Sequence, residues 1–243
     1  MSSTTATAPS STPTRPMPPI VSRSEWEAAR ADLVALEDAA DKQRKAASAA
    51  RRRLPMVEIT KDYTFTGPDG EVTFLDLFEG RTHLILNYFM FAPTWEAGCP
   101  GCSELADSFP HPAHLHARDI SLARISRAPY PQLEAYNTRM GWNVPWYSSF
   151  DSDFGPDFGL STDDGEQPDT LVFFRDRNRI FQTYALGGNV HETLMGMLGY
   201  LDITPYGRQE NNEDSPAGWP QQPEYSWTKR HDEYDSENTN VAS

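Results

Sequence analysis

The sequence predicts an α/β fold in three layers, a central mixed sheet between helices, and three observations lead there. From His83 to Phe91 the chain is almost unbrokenly apolar, a run of strand length that belongs in the centre of a sheet covered on both faces. From there to Phe150 predicted helices and strands alternate, the grammar of strands joined by crossover helices. Near the end, Thr170–Phe174 and Ile180–Tyr184 read as two strands joined by the polar stretch Arg175–Arg179, an antiparallel pair that makes the sheet mixed.

A length of 243 residues suits one such domain with extensions. Residues 1–21, rich in Ser, Thr, Ala and Pro, read as a disordered leader without an apolar targeting segment. A long helix over 22–54 follows. Ser24 is its expected N-cap and Glu27 closes a capping box, while Trp26, Ala29, Leu33, Leu36, Ala40, Ala47, Ala50 and Leu54 form a thin, Ala-rich stripe. That stripe suits a helix lying across its own domain; the rival reading pairs it with a second subunit in a homodimer. Residues 55–204 form the domain proper. It opens with a strand after Pro55 and a turn at Gly67-Pro68-Asp69-Gly70. Beyond the 83–91 strand come a helix starting near Cys99, a strand at 120–125, a helix at 130–140 burying Leu133, Tyr136 and Met140, and a short strand near 145–150. After the antiparallel pair, a helix with Val190, Leu194, Met197, Leu198 and Leu201 on one face ends the domain, and residues 205–243 read as an acidic extended tail, free or folded back.

With 12 Phe, 10 Tyr and 6 Trp the chain has enough aromatic surface to pack a core despite its polar ends. The net charge of −14 argues against nucleic acid, whose phosphates need a cationic surface. No run of about 18 apolar residues offers a membrane-spanning helix, so no membrane partner is expected and the location is read as cytoplasmic.

The chain has only two cysteines, and they stand together as Cys99-Pro100-Gly101-Cys102. Such a pair at the start of a helix suits redox chemistry, because helix N-terminal amides and the dipole stabilise a thiolate. If Cys99 is the N-cap, Pro100 takes the first helical position, where its fixed φ fits and its missing N–H costs nothing. Cys99 is then the nucleophile and Cys102 the sheltered resolving thiol. Two bland readings compete: half of a zinc site completed by His111, His114 or His116, or a pair of inert buried thiols. No second Cys pair exists to complete four ligands, so no metal is assigned, and no motif asks for a cofactor. Trp95 must lie near the thiols, because it sits in the loop connecting the central strand to Cys99.

The pattern Phe65-x-Gly67-Pro68-Asp69-Gly70, Asp76-Leu77-Phe78-x-Gly80-Arg81, an apolar strand, Cys-x-x-Cys and Pro168-Asp169-Thr170-Leu171-Val172-Phe173-Phe174 resembles the thioredoxin and peroxiredoxin group. More closely, the chain resembles the thioredoxin-like family known as domain of unknown function 899. The stretches that carry this are Phe89-Met90-Phe91-x-Pro93-x-Trp95-x-x-Gly98-Cys99-Pro100-x-Cys102, Ser126-Arg127-Ala128-Pro129, Arg139-Met140-Gly141-Trp142, Asp157-Phe158-Gly159 and Trp227-x-x-Arg230-His231-Asp232-Glu233-Tyr234. The resemblance implies a thioredoxin-like three-layer fold and a dithiol-disulfide oxidoreductase acting on a protein or small-molecule thiol or disulfide. It also implies that Pro168 meets the substrate, as the proline before the final hairpin does in thioredoxins.

Three departures stand out. Gly98 replaces the usual Trp before the first cysteine, the intervening pair is Pro-Gly rather than Gly-Pro, and Asp169 separates Pro168 from the strand at Thr170. The peroxidase motif Pro-x-x-x-Thr-x-x-Cys is absent. Rival functions are a non-redox tailoring enzyme or small-molecule binding protein on the same scaffold, its helix and tail enclosing a pocket, and a metal carrier using the cysteines and a histidine. Arg127, Trp142 and His231 are further candidates to line the dithiol site, but aromatics in this fold are more often core and charges more often surface, so Trp95 is the one expected there.

Overall fold

The structure, a computed structural model, describes residues 16–234. Its first element is α1 (Arg23–Arg51), capped by Ser22 rather than by the expected Ser24. Two overlapping Ser-x-x-Glu patterns compete here. The Ser22 hydroxyl accepts from the Glu25 amide at 3.3 Å, and the Glu25 carboxylate accepts from the Ser22 amide at 2.9 Å. That choice starts the helix two residues earlier and leaves Glu27 to pair with Arg23 at 2.7 Å. α1 buries none of its residues; Leu36 is 69% exposed. The helix therefore does not lie across its own domain, because an Ala-rich stripe offers too little apolar area to hold it there. Of the expected leader, residues 1–15 lie outside the described residues, and 16–21 have no regular structure.

Past the helix the chain makes two strands where one was expected. β1 (Val57–Ile59) ends up at one edge of the sheet, while β2 (Thr64–Gly67) and β3 (Gly70–Thr73) form a hairpin at the other. Between them Lys61 is tied to Asp153 and Asp157 at 2.9 and 2.6 Å. The hairpin turns at Pro68-Asp69 as the sequence predicts, and Gly70 takes a φ of 108° there, a value that glycine alone adopts without strain. Then come β4 (His83–Tyr88), α2 (Pro100–Asp107), α3 (Pro112–His116), β5 (Ile120–Ser126), α4 (Tyr130–Met140), β6 (Trp146–Ser148) and α5 (Phe154–Asp157). A small ladder of β7 (Ser161–Thr162) and β8 (Gly165–Glu166) precedes the final pair, β9 (Asp169–Asp176) and β10 (Arg179–Ala185).

The eight-stranded sheet is ordered β1-β10-β9-β4-β5-β6-β2-β3. β4 lies at its centre, parallel to β5 and antiparallel to β9, which is antiparallel to β10. The order β5-β4-β9-β10, with α2 and α4 in the crossovers, is the thioredoxin-like core. Leu84, Leu86 and Tyr88 of β4 pack with Phe74, Phe78, Phe154 and Phe173 in one apolar cluster. Phe89 and Phe91, just past the strand, join a second cluster with Leu133, Tyr136 and Met140 of α4 and with Cys102. One core thus packs on the central strand and a second on the residues that follow it, and the second one seats α2.

The helix expected over 190–201 is broken. A 3-10 turn spans Gly188–Leu194 and α6 covers Gly196–Asp202, with Met195 between them at ψ 88°. Leu194 is 41% exposed and only Leu198 of α6 is buried, while the Val190 side chain lies outside the described residues. Gly196 and Gly199 weaken a continuous helix here. From 205 to 234 the chain has a short 3-10 turn at His231–Glu233 and an isolated bridge between Glu210 and Gln222, and it is organised. Glu210 is fully buried and accepts from the Tyr225 amide at 2.7 Å and from Trp227 Nε1 at 2.9 Å. Arg139 of α4 holds Asp232 at 2.7 Å and Glu233 at 3.0 Å, so this acidic segment folds back over the domain. Residues 235–243 lie outside the described residues. No helix among the described residues is long and apolar enough to cross a membrane.

Candidate functional site: the Cys99–Cys102 pair

Local chemistry places Cys99 at the N-cap of α2, with φ −57° and ψ 134°, and Pro100 at the first helical position. The Cys99 amide donates to the Met90 carbonyl at 3.1 Å, and its carbonyl accepts from the Ser103 amide at 3.0 Å and the Ser103 hydroxyl at 2.9 Å. Ser103 is completely buried and is itself 3.0 Å from the Tyr136 hydroxyl. The loop before the pair is pinned by packing. A Cβ on Gly98 would lie 2.4 Å from Phe89 Cε1, so the residue preceding Cys99 is glycine because a core ring fills the space.

Both cysteines are free thiols, Cys99 partly accessible and Cys102 only 6% exposed among apolar side chains. They are pushed apart electrostatically. A hydrogen bond from the Cys102 thiol, joined by the amides of Cys102 and Gly101 and by the Arg230 charge, outweighs burial and brings Cys99 down to about 6. Cys102 is held well above its ordinary value by the same hydrogen bond, by burial and by the neighbouring thiolate. Arg230 comes from the folded-back segment: its Nε donates to the Gly98 carbonyl at 2.9 Å and its Nη2 at 2.5 Å, and Glu233 holds its Nη1 at 2.8 Å. Arg230→Met is expected to raise the midpoint of Cys99 alkylation above pH 6, by removing one of the groups that favour the thiolate; an unchanged midpoint would show that the Cys102 bond and the amides suffice.

A cavity of about 190 Å³ borders the pair. α2 supplies Cys99, Gly101, Cys102 and Leu105, the end of β4 and the residues after it supply Asn87 and Met90, and Pro168 joins the lining from just before β9. The turn before α6 adds His191 and Met195, and the folded-back segment adds Tyr225. Tyr225 is tied to that turn by its hydroxyl, which donates to Glu192 at 2.7 Å. Pro168 is trans, like every peptide bond among the described residues.

Of the residues singled out in the sequence, Cys99, Cys102 and Pro168 are thus brought together. Trp95 is not among the residues lining the cavity; it is 37% exposed in the loop, and its carbonyl accepts from Gln132. Arg127 pairs with Glu166 at 2.8 Å, while Trp142 Nε1 and His231 Nδ1 both meet Asp107, at 2.6 and 2.8 Å. The three histidines of residues 111–116 belong to α3 and its cap, and among the described residues no group of three or more His, Cys, Asp or Glu is arranged to hold a metal ion. Sequence reasoning missed Asn87, His191, Tyr225 and Arg230 as neighbours of the thiols. Only Arg230 carried a signal, as a member of the Trp227–Tyr234 stretch.

No curated protein matches the chain. Solved structures similar to it include a mutant of Xylella fastidiosa PrxQ, at 12% identity and TM-score 0.41 over 60% of this chain and 95% of that one. The Mycobacterium tuberculosis peroxidoxin BcpB is similar at 17% identity and TM-score 0.43, over 61% and 97%. A Chlorobium tepidum protein described as a candidate thiol:disulfide interchange protein DsbE is similar at 13% and 0.39, over 60% and 97%. A family model described as a bacterial protein of unknown function, DUF899, matches residues 15–234, and the chain belongs to that family.

Proposed function

We propose that the protein is a thiol-disulfide oxidoreductase in which Cys99 attacks and Cys102 resolves. The observation that carries this is the asymmetry of the pair: an accessible thiol lowered to about 6 beside a buried one that is raised. The Cys99 thiolate attacks one sulfur of a disulfide, the Cys99–S bond forms, the old S–S bond breaks and one half leaves as a thiolate. Cys102 then gives up its proton and attacks the Cys99 sulfur, closing the intramolecular disulfide and releasing the second half. Run backwards, the same steps oxidise a dithiol. Pro168, which lines the same cavity as the pair, is the proposed rest for the substrate.

The test is redox titration in glutathione buffers with alkylation and mass analysis, expected to show one two-electron transition between roughly −300 and −120 mV. Cys99 is expected to alkylate with a midpoint near pH 6. At that pH an ordinary thiol is only about 0.3% thiolate, so the gain in thiolate is roughly 150-fold. The lower basicity returns about a factor of ten of that, leaving Cys99 roughly tenfold faster than free cysteine. Thiols that stay slow and unpaired across the range would favour the rival reading, a small-molecule binding protein, which the apolar cavity makes the second choice.

A further inference from the structure

Building on the exchange reading of Cys99 and Cys102, we propose that the disulfide partner is a small, uncharged, apolar molecule that seats one half in the cavity, and not a protein. Among the described residues, no Lys, Arg, Asp or Glu side chain lines that cavity. Met90, Leu105, Pro168, Met195 and the Tyr225 ring supply an apolar wall, and the polar groups present are Asn87, His191 and the two thiols. A charged half entering this space sheds its water, and once the Cys99 thiolate has been consumed in the attack the lining offers no Lys, Arg, Asp or Glu to pair with it, which is costly. An uncharged apolar half gains from the same burial, and two methionines give a wall that adapts to its shape.

Size sets the second limit. A dry apolar cavity of about 150 Å³ accommodates a benzene-sized guest. At about 190 Å³ this one takes a group of that order, far less than a polypeptide loop. The third limit is the surround. Tyr225 is bonded to Glu192 of the turn that carries His191, and Arg230 clasps the Gly98 carbonyl beside Cys99. Both segments border the site, so a polypeptide disulfide meets more of them on its approach than a small molecule does.

His191 adds a polar group to the lining: its Nε2 is buried without a hydrogen-bond partner among the described residues, and Asp169 Oδ1 is 3.9 Å away. The Cys102 proton leaves with the departing sulfur. The sum is one Cys99 thiolate, one Cys102 thiol and one small disulfide going to the protein disulfide, one free thiolate and one free thiol. Electrons and protons balance without any further oxidant.

The experiment uses the reduced full-length protein and four disulfides: diethyl disulfide, which is apolar; cystamine, of similar size but cationic; dithiodiglycolate, anionic; and insulin. Each rate of Cys99–Cys102 closure is divided by the rate of a free cysteine derivative with the same reagent, which removes intrinsic reactivity. Diethyl disulfide is expected to lead the other three by at least tenfold. The lead over cystamine is the sharper result, because a net charge of −14 draws a cation toward the protein. Met195→Trp, which fills the cavity from an irregular segment, is expected to cut the diethyl disulfide rate at least tenfold. Normalised rates for insulin or the charged reagents that equal or exceed the apolar one overturn the substrate class and leave the exchange reading standing, as does an unaltered rate in Met195→Trp. A protein inert to all four loses the exchange reading itself.

Discussion

Cys102→Ser is expected to convert the protein into a covalent trap. The first attack by Cys99 is untouched, so challenge with a disulfide gives a stoichiometric mixed disulfide on Cys99, seen as an intact-mass increase of one substrate half that disappears on reduction. Cys99→Ser is expected to react no faster than background, because the remaining thiol is only 6% exposed and held protonated by burial. The two variants must differ in kind. If both accumulate the adduct equally, the roles are not divided between the sulfurs; if Cys102→Ser turns over like the wild type, the pair does no exchange and the binding-protein reading takes its place.

Gly98→Ala is expected to have the largest effect of any single methyl group added beside the site. The new Cβ would sit 2.4 Å from Phe89 Cε1 and 3.2 Å from Tyr136 Cε1, and both rings are buried in the cluster that seats α2. Neither ring has room to withdraw, so the backbone must move, at about 1–3 kcal/mol for overpacking of this kind. In a chain of this size that lowers the melting temperature by several degrees, at roughly 2–4 °C per kcal/mol. The same shift moves the carbonyl that Arg230 grips and the amide that Cys99 sends to Met90, so the Cys99 alkylation midpoint should rise with the loss of stability. Gly101→Ala is the control. Its Cβ meets nothing within 4 Å, it lies inside α2 where alanine is favoured, and its melting point should change by no more than about 0.5 kcal/mol allows. Equal melting curves for the two variants would show that Phe89 is not what keeps residue 98 bare.

The long stripe on α1 shows where periodicity misleads. Spacings of three and four identify a helix, and one is there, but they do not say whether its apolar face finds a partner, and among the described residues α1 buries none of its own. The capping box failed by two residues for a local reason: two Ser-x-x-Glu frames overlap, and only the extra turn and the Arg23–Glu27 pair decide between them. The segment from Pro55 to Gly67 looked like one strand because nothing in its composition says that its halves belong to opposite edges of the same sheet.

What the sequence determined by itself is what short-range physics controls. The apolar run from His83 to Tyr88 had to be the central strand, Pro68-Asp69 before Gly70 had to turn a hairpin, and Pro100 after Cys99 had to begin a helix with the first thiol at its amide-rich end. Tertiary structure alone decided the character of the site. Arg230 reaches Gly98 across 132 positions, Tyr225 and His191 arrive at the cavity from two further segments, and Phe89 dictates the glycine before Cys99. The pKa of a thiol and the shape of a cavity depend on distances in space, which chain spacing does not encode once loops and a folded-back segment intervene.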